Sequence, residues 1–227
     1  MKKNKKCGQQ VNSAACTDTI GPGVVKAIIF DLGNVLIDFD HRIAAQRIAR
    51  YTDKKPEEIF ILFFNSPITA LFEEGRISAQ EFFREVKKML NLKLSYNRFL
   101  PIWNEIFYLS QKNKQIYDLA KRLKKSYKLA LLSNINILHF RYLKRSFSVF
   151  DAFHYIITSF KLKVCKPHPL IYQKTLDILK VSPKSVFYTD DRAELIENAN
   201  RLGLRGFVFK NVEQLYEDLK STGVNIN

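Results

Sequence analysis

The sequence lacks an apolar segment that could cross a membrane. Its apolar patch IFILFF, at residues 59–64, is far shorter than the about 20 residues of a spanning helix. The basic start MKKNKK is followed by no continuous apolar stretch, so a secretory signal peptide is not indicated. Cysteine is also scarce, and Cys7, Cys16 and Cys165 have neither the spacing of a metal site nor that of a disulfide framework. These absences predict a cytoplasmic protein without a membrane partner.

Acidic residues are outnumbered by basic ones, 22 against 37, which gives a formal net charge of +15. The basic residues are concentrated in the segments KRLKKSYK, RYLKR and KLKVCK. Such an excess favours anionic partners, from small phosphorylated molecules to nucleic acids and acidic membrane surfaces. The basic residues do not interleave with exposed aromatic ones as a nucleic-acid stacking platform would require. A lysine-rich solvated surface is the simpler interpretation, and no nucleic-acid partner is expected.

Short β-rich runs alternate with helical patterns after residue 24. Residues 1–24, closed by a Gly-Pro-Gly sequence, are predicted to form a disordered leader. The strand-like runs are mostly apolar, which is typical of parallel strands covered on both faces. The alternation predicts an α/β fold, namely a doubly wound, mainly parallel Rossmann-like sheet. We predict strands at residues 24–30, 127–133, 154–159, 185–189 and 205–209, and helices at residues 111–125, 169–180 and 193–203.

One block of the chain, residues 41–108, interrupts this alternation. It contains several helix signals and no convincing strand. Ser78 and Glu81, for example, form the S-x-x-E pattern of a capping box. The aromatic residues of the block are mostly expected in its core. The sequence therefore predicts an inserted helical cap at residues 41–108 and a catalytic core at residues 25–40 and 109–227.

Polar and charged residues follow four of the predicted strands. In an open parallel sheet, ligands bind beyond the carboxyl ends of the strands, so we expect these side chains to converge. Clustered carboxylates repel one another unless a cation is present, and their hard oxygen atoms suit Mg²⁺. A hydroxyl group and an ammonium group can hold a phosphoryl group, which an aspartate could attack. The residues are Asp31, Ser133, Asn134, Lys166, Asp190 and Asp191.

Each of these residues also has an ordinary structural interpretation. Asp31 could simply end a strand in a turn, and Ser133 could cap a helix. Asp190 and Asp191 could form a cap or an Asx-turn, and Lys166 could lie on the surface. Four such strand ends in one chain are difficult to explain in this way, which favours a common site.

Four motifs contain these residues in order: FDLGNVL, LLSN, CKPHPLIY and FYTDD. Together they resemble the motifs of the haloacid dehalogenase-like superfamily over residues 25–210. The helical insert resembles the C1 cap of the phosphatase-rich branch of that superfamily. The D-L-G-N wording is similar to that of its sugar-phosphate phosphatases. The resemblance implies a Mg²⁺-dependent phosphatase that hydrolyses a small phosphorylated metabolite through an aspartyl-phosphate, with a sugar phosphate as the preferred substrate class.

The resemblance also implies a role for each residue at the strand ends. Asp31 would be the nucleophile and a metal ligand. Asp190, Asp191 and the backbone carbonyl of Gly33 would complete the Mg²⁺ site, with Asp191 as the direct ligand of the acidic pair. The residues that would hold the substrate phosphate are Ser133, Asn134 and Lys166.

Two positions depart from the pattern of the superfamily. Gly33 stands where a second aspartate usually acts as the general acid and base, and loss of such a group typically costs about 10²–10⁴ in rate. Leu195 stands where an asparagine commonly supports the metal ligands. Asp38 and Asp40 could supply a carboxylate from the link into the cap, although a solvated hinge and a helix cap are the simpler interpretations.

Four further residues have weaker assignments. His41 and Arg42, at the entrance to the cap, are candidates for substrate contact. Cys165 and His168 flank Lys166, but no base-and-orienter arrangement is visible in the sequence, so we expect no catalytic role for either.

Alternatives to the phosphatase remain open at this stage. A haloacid dehalogenase also uses an aspartate nucleophile without the second aspartate, but it needs no metal and carries no acidic pair in the fourth motif. A phosphoglucomutase-type mutase would depend more heavily on the missing acid and base. A non-catalytic relative, acting as a phosphate sensor or a protein-binding module, is favoured by Gly33 and Leu195. The oligomeric state is not predicted.

Overall fold

The computed structural model describes residues 24–226. The predicted leader lies outside the described residues except for Val24, which is exposed. The strands are β1 Ala27–Phe30, β2 Asp38–Phe39, β3 Phe107–Tyr108, β4 Lys128–Ser133, β5 Tyr155–Thr158, β6 Val186–Asp190 and β7 Arg205–Val208. The α-helices are α1 His41–Ile48, α2 Pro56–Asn65, α3 Pro67–Glu73, α4 Ala79–Met89, α5 Tyr96–Asn104, α6 Gln111–Leu123, α7 Ile137–Ser146, α8 Ser159–Leu162, α9 Pro169–Leu179, α10 Ala193–Arg201 and α11 Val212–Ser221. Short 3₁₀ turns lie at Ala49–Tyr51, Val149–Ala152 and Pro183–Ser185.

The main sheet has five parallel strands in the order β5-β4-β1-β6-β7. β1 lies at its centre, where Ile29 pairs with Ala130 on one side and with Tyr188 on the other. Ile28 and Phe30 pack into the apolar layer on one face of the sheet, and Ile29 into the layer on the other face. Because helices cover both faces, β1 is apolar at every position. The predicted doubly wound α/β fold is confirmed.

The strand order places the functional strand ends side by side. The chain runs from β1 outward through β4 and β5, and then returns to the opposite side of β1 for β6 and β7. The order therefore reverses next to β1, and such a switch point opens a crevice at the carboxyl ends of the strands. The ends of β4, β1 and β6 share this crevice.

Helices α1 to α5 pack around an apolar core of their own, which includes Phe72, Phe82, Phe99 and Trp103. The predicted capping box at the start of α4 is present. The backbone N–H of Ser78 donates to the Glu81 carboxylate at 2.7 Å, and the N–H of Glu81 donates to the Ser78 hydroxyl at 3.2 Å. These helices occupy the segment that the sequence predicts as a cap, and we refer to them as the cap.

The cap is joined to the main sheet through a small antiparallel ladder that the sequence pattern did not predict. Asp38 of β2 pairs with Tyr108 of β3, and Phe39 pairs with Phe107. Strands of two residues are too short to leave an alternating pattern, which explains why they were missed. The ladder ties together the two points at which the chain crosses between the core and the cap, and it places Phe39 beside the turn after β1.

None of the helices within residues 24–226 has both the length and the apolar character needed to span a bilayer.

Candidate active site

A cavity of about 660 Å³ lies between the carboxyl ends of the central strands and the cap. The strand ends supply the charged part of its wall, and the cap supplies mainly rings and small polar side chains. The predicted site residues that line it are Asp31, Gly33, Ser133, Asn134, Lys166, Asp190 and Asp191. The fold therefore brings together in one cavity the residues predicted at the strand ends, together with Gly33.

Asp31 stands at the start of a wide turn that follows β1. Its backbone N–H donates to the carbonyl of Thr189 at 2.9 Å, which extends the pairing with β6 by one residue. The carbonyl of Leu32 then accepts hydrogen bonds from the N–H groups of Leu36 and Ile37. The turn passes through a positive φ of 55° at Asn34, a conformation that asparagine tolerates better than most residues. This turn holds the Asp31 carboxylate at the edge of the sheet where the carboxyl ends of the strands lie.

Lys166 is the electrostatic centre of the site. Its Nζ donates to Oδ1 of Asp31 at 2.6 Å, to Oδ2 of Asp190 at 2.6 Å and to the carbonyl of Leu132 at 3.0 Å. Burial disfavours the charged ammonium, but Asp31 and Asp190 outweigh burial and raise the pKa of Lys166 above its usual value. The side chain is therefore a cation fixed between two carboxylates.

The three carboxylates outnumber the one ammonium between them. Asp31, Asp190 and Asp191 each offer an oxygen atom within 4.8 Å of the others. Burial raises the pKa of Asp31 even though Lys166 lies beside it, and burial also raises the pKa of Asp191. A nucleophilic carboxylate must be ionised, so the cluster requires more positive charge than Lys166 provides. Hard oxygen ligands in this arrangement fit Mg²⁺.

The two aspartates of the fourth motif have different surroundings. Asp190 is fully buried, and its carboxylate accepts hydrogen bonds from Lys166, from the hydroxyl of Tyr188 and from the backbone N–H of Arg192. Asp191 is half-buried and accepts a hydrogen bond from Nδ2 of Asn34 at 2.8 Å. Asp190 thus holds Lys166 in place, whereas Asp191 is the more accessible of the two for a metal ion.

Asn34 is a site residue that sequence reasoning missed. Its amide orients Asp191 across the cavity mouth, from a position 157 residues earlier in the chain. Leu195, which replaces the expected asparagine, is buried and offers only its backbone carbonyl, which accepts from the hydroxyl of Tyr172 at 3.0 Å. Asp191 therefore receives an amide hydrogen bond from the first motif, whereas the side chain at position 195 offers none. The asparagine of the DLGN motif, Asn34, was the one feature of the sequence that pointed to this contact.

The second motif holds Lys166 through its backbone. Oδ1 of Asn134 accepts from the N–H of Lys166 at 2.8 Å, and Nδ2 of Asn134 donates to the Lys166 carbonyl at 2.8 Å. Because its side-chain amide is used in this way, Asn134 could offer a phosphate its backbone N–H. Ser133 is buried at the end of β4, and its hydroxyl has only a long contact of 3.4 Å with the carbonyl of Asn134. That hydroxyl can reorient toward a ligand.

Gly33 is packed against the ring of Phe39. A Cβ atom at this position would lie 2.6 Å from Cε1 of Phe39, closer than atoms in proteins normally approach. The space that an aspartate side chain would need is therefore filled by the residue that begins the link to the cap. The ring explains why the position carries glycine, and it leaves the turn without a second carboxylate.

Aromatic and imidazole rings form one wall of the cavity on the cap side. The His139 ring stacks on Trp103 with centroids 5.0 Å apart, and His41 lies 6.0 Å from His139. Nδ1 of His139 lies 3.1 Å from Nδ2 of Asn136, which is a donor, so Nε2 carries the proton and donates to the Trp103 carbonyl at 3.0 Å. Burial lowers the pKa of His139 to about 3 and that of His41 to about 4. Both rings are neutral at pH 7.

Glu73, at the end of α3, is another cavity residue that sequence reasoning missed. It lines the cavity, and its backbone carbonyl accepts a hydrogen bond from the hydroxyl of Ser159 at 2.6 Å. Burial raises the pKa of its carboxyl to about 7, although the charge of Arg192 opposes this. The sequence Glu73-Glu74-Gly75 shows two adjacent carboxylates near a turn, but the hydrophobic pattern does not indicate which of the two side chains faces the strand ends.

Of the residues predicted at the entrance to the cap, only some border the cavity. His41 lines the cavity, whereas the side chain of Arg42 is exposed and lies over the ring of Phe60. Asp40 caps α1 by accepting from the N–H of Arg42 at 2.8 Å. Asp38 is bound by Lys112, Ser110 and Asn113 at the ladder between core and cap, so neither aspartate supplies the missing carboxylate.

Cys165 and His168, the two residues that flank Lys166, contact structural groups. Burial raises the pKa of the Cys165 thiol to about 12, which makes it a poor nucleophile at neutral pH. Nδ1 of His168 accepts from the N–H of Leu170 at 3.2 Å and so caps α9. Neither side chain lines the cavity described above.

Two curated relatives are similar over most of the chain. A D-ribitol-5-phosphate phosphatase from Bacteroides thetaiotaomicron is 26% identical over 190 residues, which cover 81% of this chain and 91% of the relative. A phosphatase from Mycobacterium tuberculosis is 24% identical over 207 residues, which cover 88% of this chain and 95% of the relative. Both names contain the enzyme class that the sequence motifs imply.

A solved structure from Bacteroides thetaiotaomicron, a haloacid dehalogenase family enzyme in complex with magnesium and inorganic phosphate, superposes with a TM-score of 0.72 at 27% identity. The match covers 82% of this chain and 95% of that chain. The family model described as haloacid dehalogenase-like hydrolase matches residues 25–203, which include all four motifs and the cap. With its aspartate, lysine and acidic pair gathered at the sheet edge, this chain belongs to the haloacid dehalogenase-like hydrolase family.

Proposed function

We propose that this protein is a Mg²⁺-dependent phosphomonoesterase that hydrolyses a small organic phosphate through a phosphorylated Asp31. The observation that carries this proposal is the contact of Lys166 with both Asp31 and Asp190, at 2.6 Å each, beside Asp191. A nucleophile, a fixed cation and an unbalanced carboxylate cluster are the parts that phosphoryl transfer requires. The phosphatase names of the relatives and the magnesium and phosphate complex of the solved neighbour agree with it.

We assign the metal to Asp31, Asp190, Asp191 and the backbone carbonyl of Gly33. When bound there, Mg²⁺ would neutralise the developing charge of the phosphoryl group and favour the ionised form of Asp31. Asp191 is the best placed of the acidic pair to ligate directly, because the Asp190 carboxylate already accepts three hydrogen bonds. Asn34 would hold Asp191 in the required orientation.

The phosphate is assigned to Ser133, Asn134 and Lys166. Ser133 would donate its hydroxyl hydrogen, and Asn134 its backbone N–H. The three N–H groups of the Lys166 ammonium already donate to Asp31, Asp190 and the Leu132 carbonyl. A phosphate oxygen could replace one of these acceptors and so receive a hydrogen bond from Lys166. Without such a replacement, Lys166 would attract the phosphate through its positive charge alone. Asp31 would attack the phosphorus atom, and water would then hydrolyse the aspartyl-phosphate.

A sugar or polyol phosphate is the substrate class that we prefer. The cavity volume of about 660 Å³ lies within the ordinary range for small-molecule sites. Its cap side combines ring faces, which pack against C–H groups, with Thr69 and Glu73, which can bind hydroxyl groups. The relative named as a D-ribitol-5-phosphate phosphatase supports the same class. The cytoplasmic location predicted from the sequence agrees with such a metabolite.

A catalytically weak relative is the second candidate, and Gly33 is the observation that favours it. Without a proton donor, an enzyme of this kind would expel only leaving groups that need little protonation. A dehalogenase is disfavoured, because Asp190 and Asp191 would have no metal to bind in that reaction.

The function is tested with p-nitrophenyl phosphate, whose leaving group needs little protonation. We expect turnover with Mg²⁺, loss of turnover with EDTA, and recovery when Mg²⁺ is restored. Asp31→Asn should abolish turnover while the protein stays folded. A matched control is Asp151→Asn, which changes an exposed aspartate outside the cavity. Absence of turnover in a folded protein that binds Mg²⁺ would favour the non-catalytic alternative.

A panel of phosphomonoesters then identifies the substrate class. We expect polyol and sugar phosphates to give higher kcat/KM than nucleotides and phosphoserine peptides. Equal kcat/KM values across the panel, or a preference for phosphopeptides, would contradict the assignment to small polyhydroxy phosphates.

A further inference from the structure

Gly33 and Phe39 leave the proposed reaction without a proton donor on the first motif. The ring of Phe39 fills the space where a side chain at position 33 would lie. Asp38 and Asp40 are held by other partners at the ladder and at the start of α1. Any proton donor for the leaving group must therefore come from another element that borders the cavity.

Helix α3 borders the cavity along one face. Ser66, which caps the helix, and Thr69, Ala70 and Glu73 all line the cavity. These positions are spaced i, i+3, i+4 and i+7, so they share one side of the helix. The first three side chains are small and leave room for a ligand. Among the described side chains of the cap that line the cavity, Glu73 alone carries a carboxylate.

The end of α3 is fastened to the core, so the position of Glu73 is fixed relative to the strand ends. The hydroxyl of Ser159, which follows β5, donates to the Glu73 carbonyl at 2.6 Å. The ammonium of Lys163 donates to the carbonyl of Gly75. A Cβ at Gly75 would lie 2.5 Å from the carbonyl oxygen of Phe160, which shows how closely the two backbones approach.

We infer that Glu73 is the general acid and base of this enzyme and performs from the cap the proton transfers that position 33 cannot perform. The inference rests on the proposed phosphatase function. It concerns the leaving group of the substrate and the attacking water, both of which would lie opposite Asp31 in an in-line displacement and hence toward the cap.

The proton transfers balance over one turnover. As the carboxylate of Asp31 forms its bond to phosphorus, the bond from phosphorus to the leaving oxygen breaks, and that oxygen takes the proton of the Glu73 carboxyl. A water molecule then attacks the phosphorus of the aspartyl-phosphate and gives a proton to the Glu73 carboxylate. The bond from phosphorus to Asp31 breaks, which releases inorganic phosphate and restores both carboxyl groups.

The surroundings of Glu73 suit this double role. Burial raises the pKa of its carboxyl to about 7, so both protonation states are populated near neutral pH. Arg192, at the start of α10, is the charged group that opposes this shift. Cys165 and Glu74 also lie nearby, and Glu74 is engaged in an ion pair with Arg76 at 2.6 Å.

His41 is the rival titratable group on the cap side of the cavity. Burial holds its pKa near 4, so at neutral pH its ring has no acidic proton that it could give to a leaving alkoxide. It could accept a proton from water, but it could serve only the second step. Glu73 can serve both steps.

The test compares Glu73→Gln with Glu74→Gln as a matched control on an alkyl phosphate and on p-nitrophenyl phosphate. We expect Glu73→Gln to lower kcat on the alkyl phosphate by about 10²-fold or more. On p-nitrophenyl phosphate the first turnover should stay fast and give a burst of nitrophenol, followed by slow hydrolysis of the aspartyl-phosphate. Glu74→Gln should behave as wild type on both substrates.

The pH profile gives a second readout that a purely structural role would not change. The wild type should lose kcat/KM for the alkyl phosphate as pH rises through the pKa of Glu73, and this limb should be absent in Glu73→Gln. Unchanged alkyl-phosphate turnover in Glu73→Gln, or loss of the same limb in His41→Gln instead, would overturn the inference. If Asp31→Asn turns over p-nitrophenyl phosphate as wild type does, the proposed function itself fails, which is a distinguishable result.

Discussion

The ring of Phe39 occupies the space above Gly33, so that a Cβ at position 33 would approach Cε1 of Phe39 to 2.6 Å. Phe39 belongs to β2, the strand that leads into the cap, and it also packs against His41 with centroids 5.1 Å apart. The glycine of the first motif and the aromatic residue of the link are therefore a matched pair. An aspartate cannot be placed at position 33 unless the ring moves.

Substitution of Gly33 by aspartate should consequently destabilise the protein. Overlap of this kind in a packed region typically costs about 1–3 kcal/mol. Gly33→Asp should lower the unfolding free energy less when it is made in the Phe39→Ala variant than when it is made in the wild type. A double-mutant cycle of unfolding free energies measures this coupling. Additive effects of the two substitutions would contradict the pairing.

Removal of the Asn34 amide should weaken Mg²⁺ binding. Asn34→Gly is the suitable change, because glycine accepts the positive φ at this position while it removes the hydrogen bond to Asp191. Loss of such a supporting group typically reduces metal affinity about 10–100-fold. Calorimetric titration with Mg²⁺ measures the effect, with Asn198→Ala, a half-buried position outside the cavity lining, as the control. Equal affinity in wild type and Asn34→Gly would show that Asp191 needs no orientation from the first motif.

Lys166→Met should lower the free energy of unfolding substantially in the absence of metal. The change leaves Asp31 and Asp190 buried without their shared cation, and breaking a buried ion pair from one side costs about 3–5 kcal/mol. Asp190→Asn in the same protein should recover part of the loss. Urea unfolding in EDTA measures both. Lys128→Met, which removes a lysine bonded only to the carbonyl of Leu179, should cost far less. A similar cost for both lysines would refute this account of the site.

Acid should destabilise the protein through His139 and His41. Burial lowers the pKa of His139 from 6.5 to about 3, so the unfolded chain takes up a proton at a pH where the native ring stays neutral. The stability contribution is complete above pH 6.5 and decreases as pH falls toward the native pKa. Each such histidine changes the unfolding free energy by about 1.4 kcal/mol per pH unit in that window.

The variant His139→Gln isolates this contribution. Its unfolding free energy should fall less steeply with decreasing pH than that of the wild type between pH 6.5 and pH 4.5. Parallel curves for wild type and His139→Gln would mean that His139 titrates alike in both states.

The sequence was sufficient for the elements whose signal is local. β1 is apolar throughout because both of its faces are covered, and the Ser78–Glu81 capping box begins α4 as predicted. The same reasoning brought Asp31, which follows β1, and Lys166, which lies in the segment after β5, to one edge of the sheet, because parallel strands share the edge at which their carboxyl ends lie.

Features that depend on contacts between distant segments could not be predicted. The bond from Asn34 to Asp191 spans 157 residues, and no local pattern indicates which amide reaches which carboxylate. The approach of Phe39 to Gly33 depends on a ladder of two-residue strands that leaves no periodic trace. Glu73 faces the cavity because α3 ends against Ser159, a contact between the cap and the core.

The most direct test of the central claim is chemical identification of the phosphorylated residue. The wild-type protein is mixed with Mg²⁺ and p-nitrophenyl phosphate, quenched in acid within one turnover, digested and analysed by mass spectrometry. We predict one phosphoryl group on the peptide that contains Asp31, released by hydroxylamine, and none in Asp31→Asn. Turnover without this adduct, or an adduct on another residue, would contradict the assignment of Asp31 as the nucleophile.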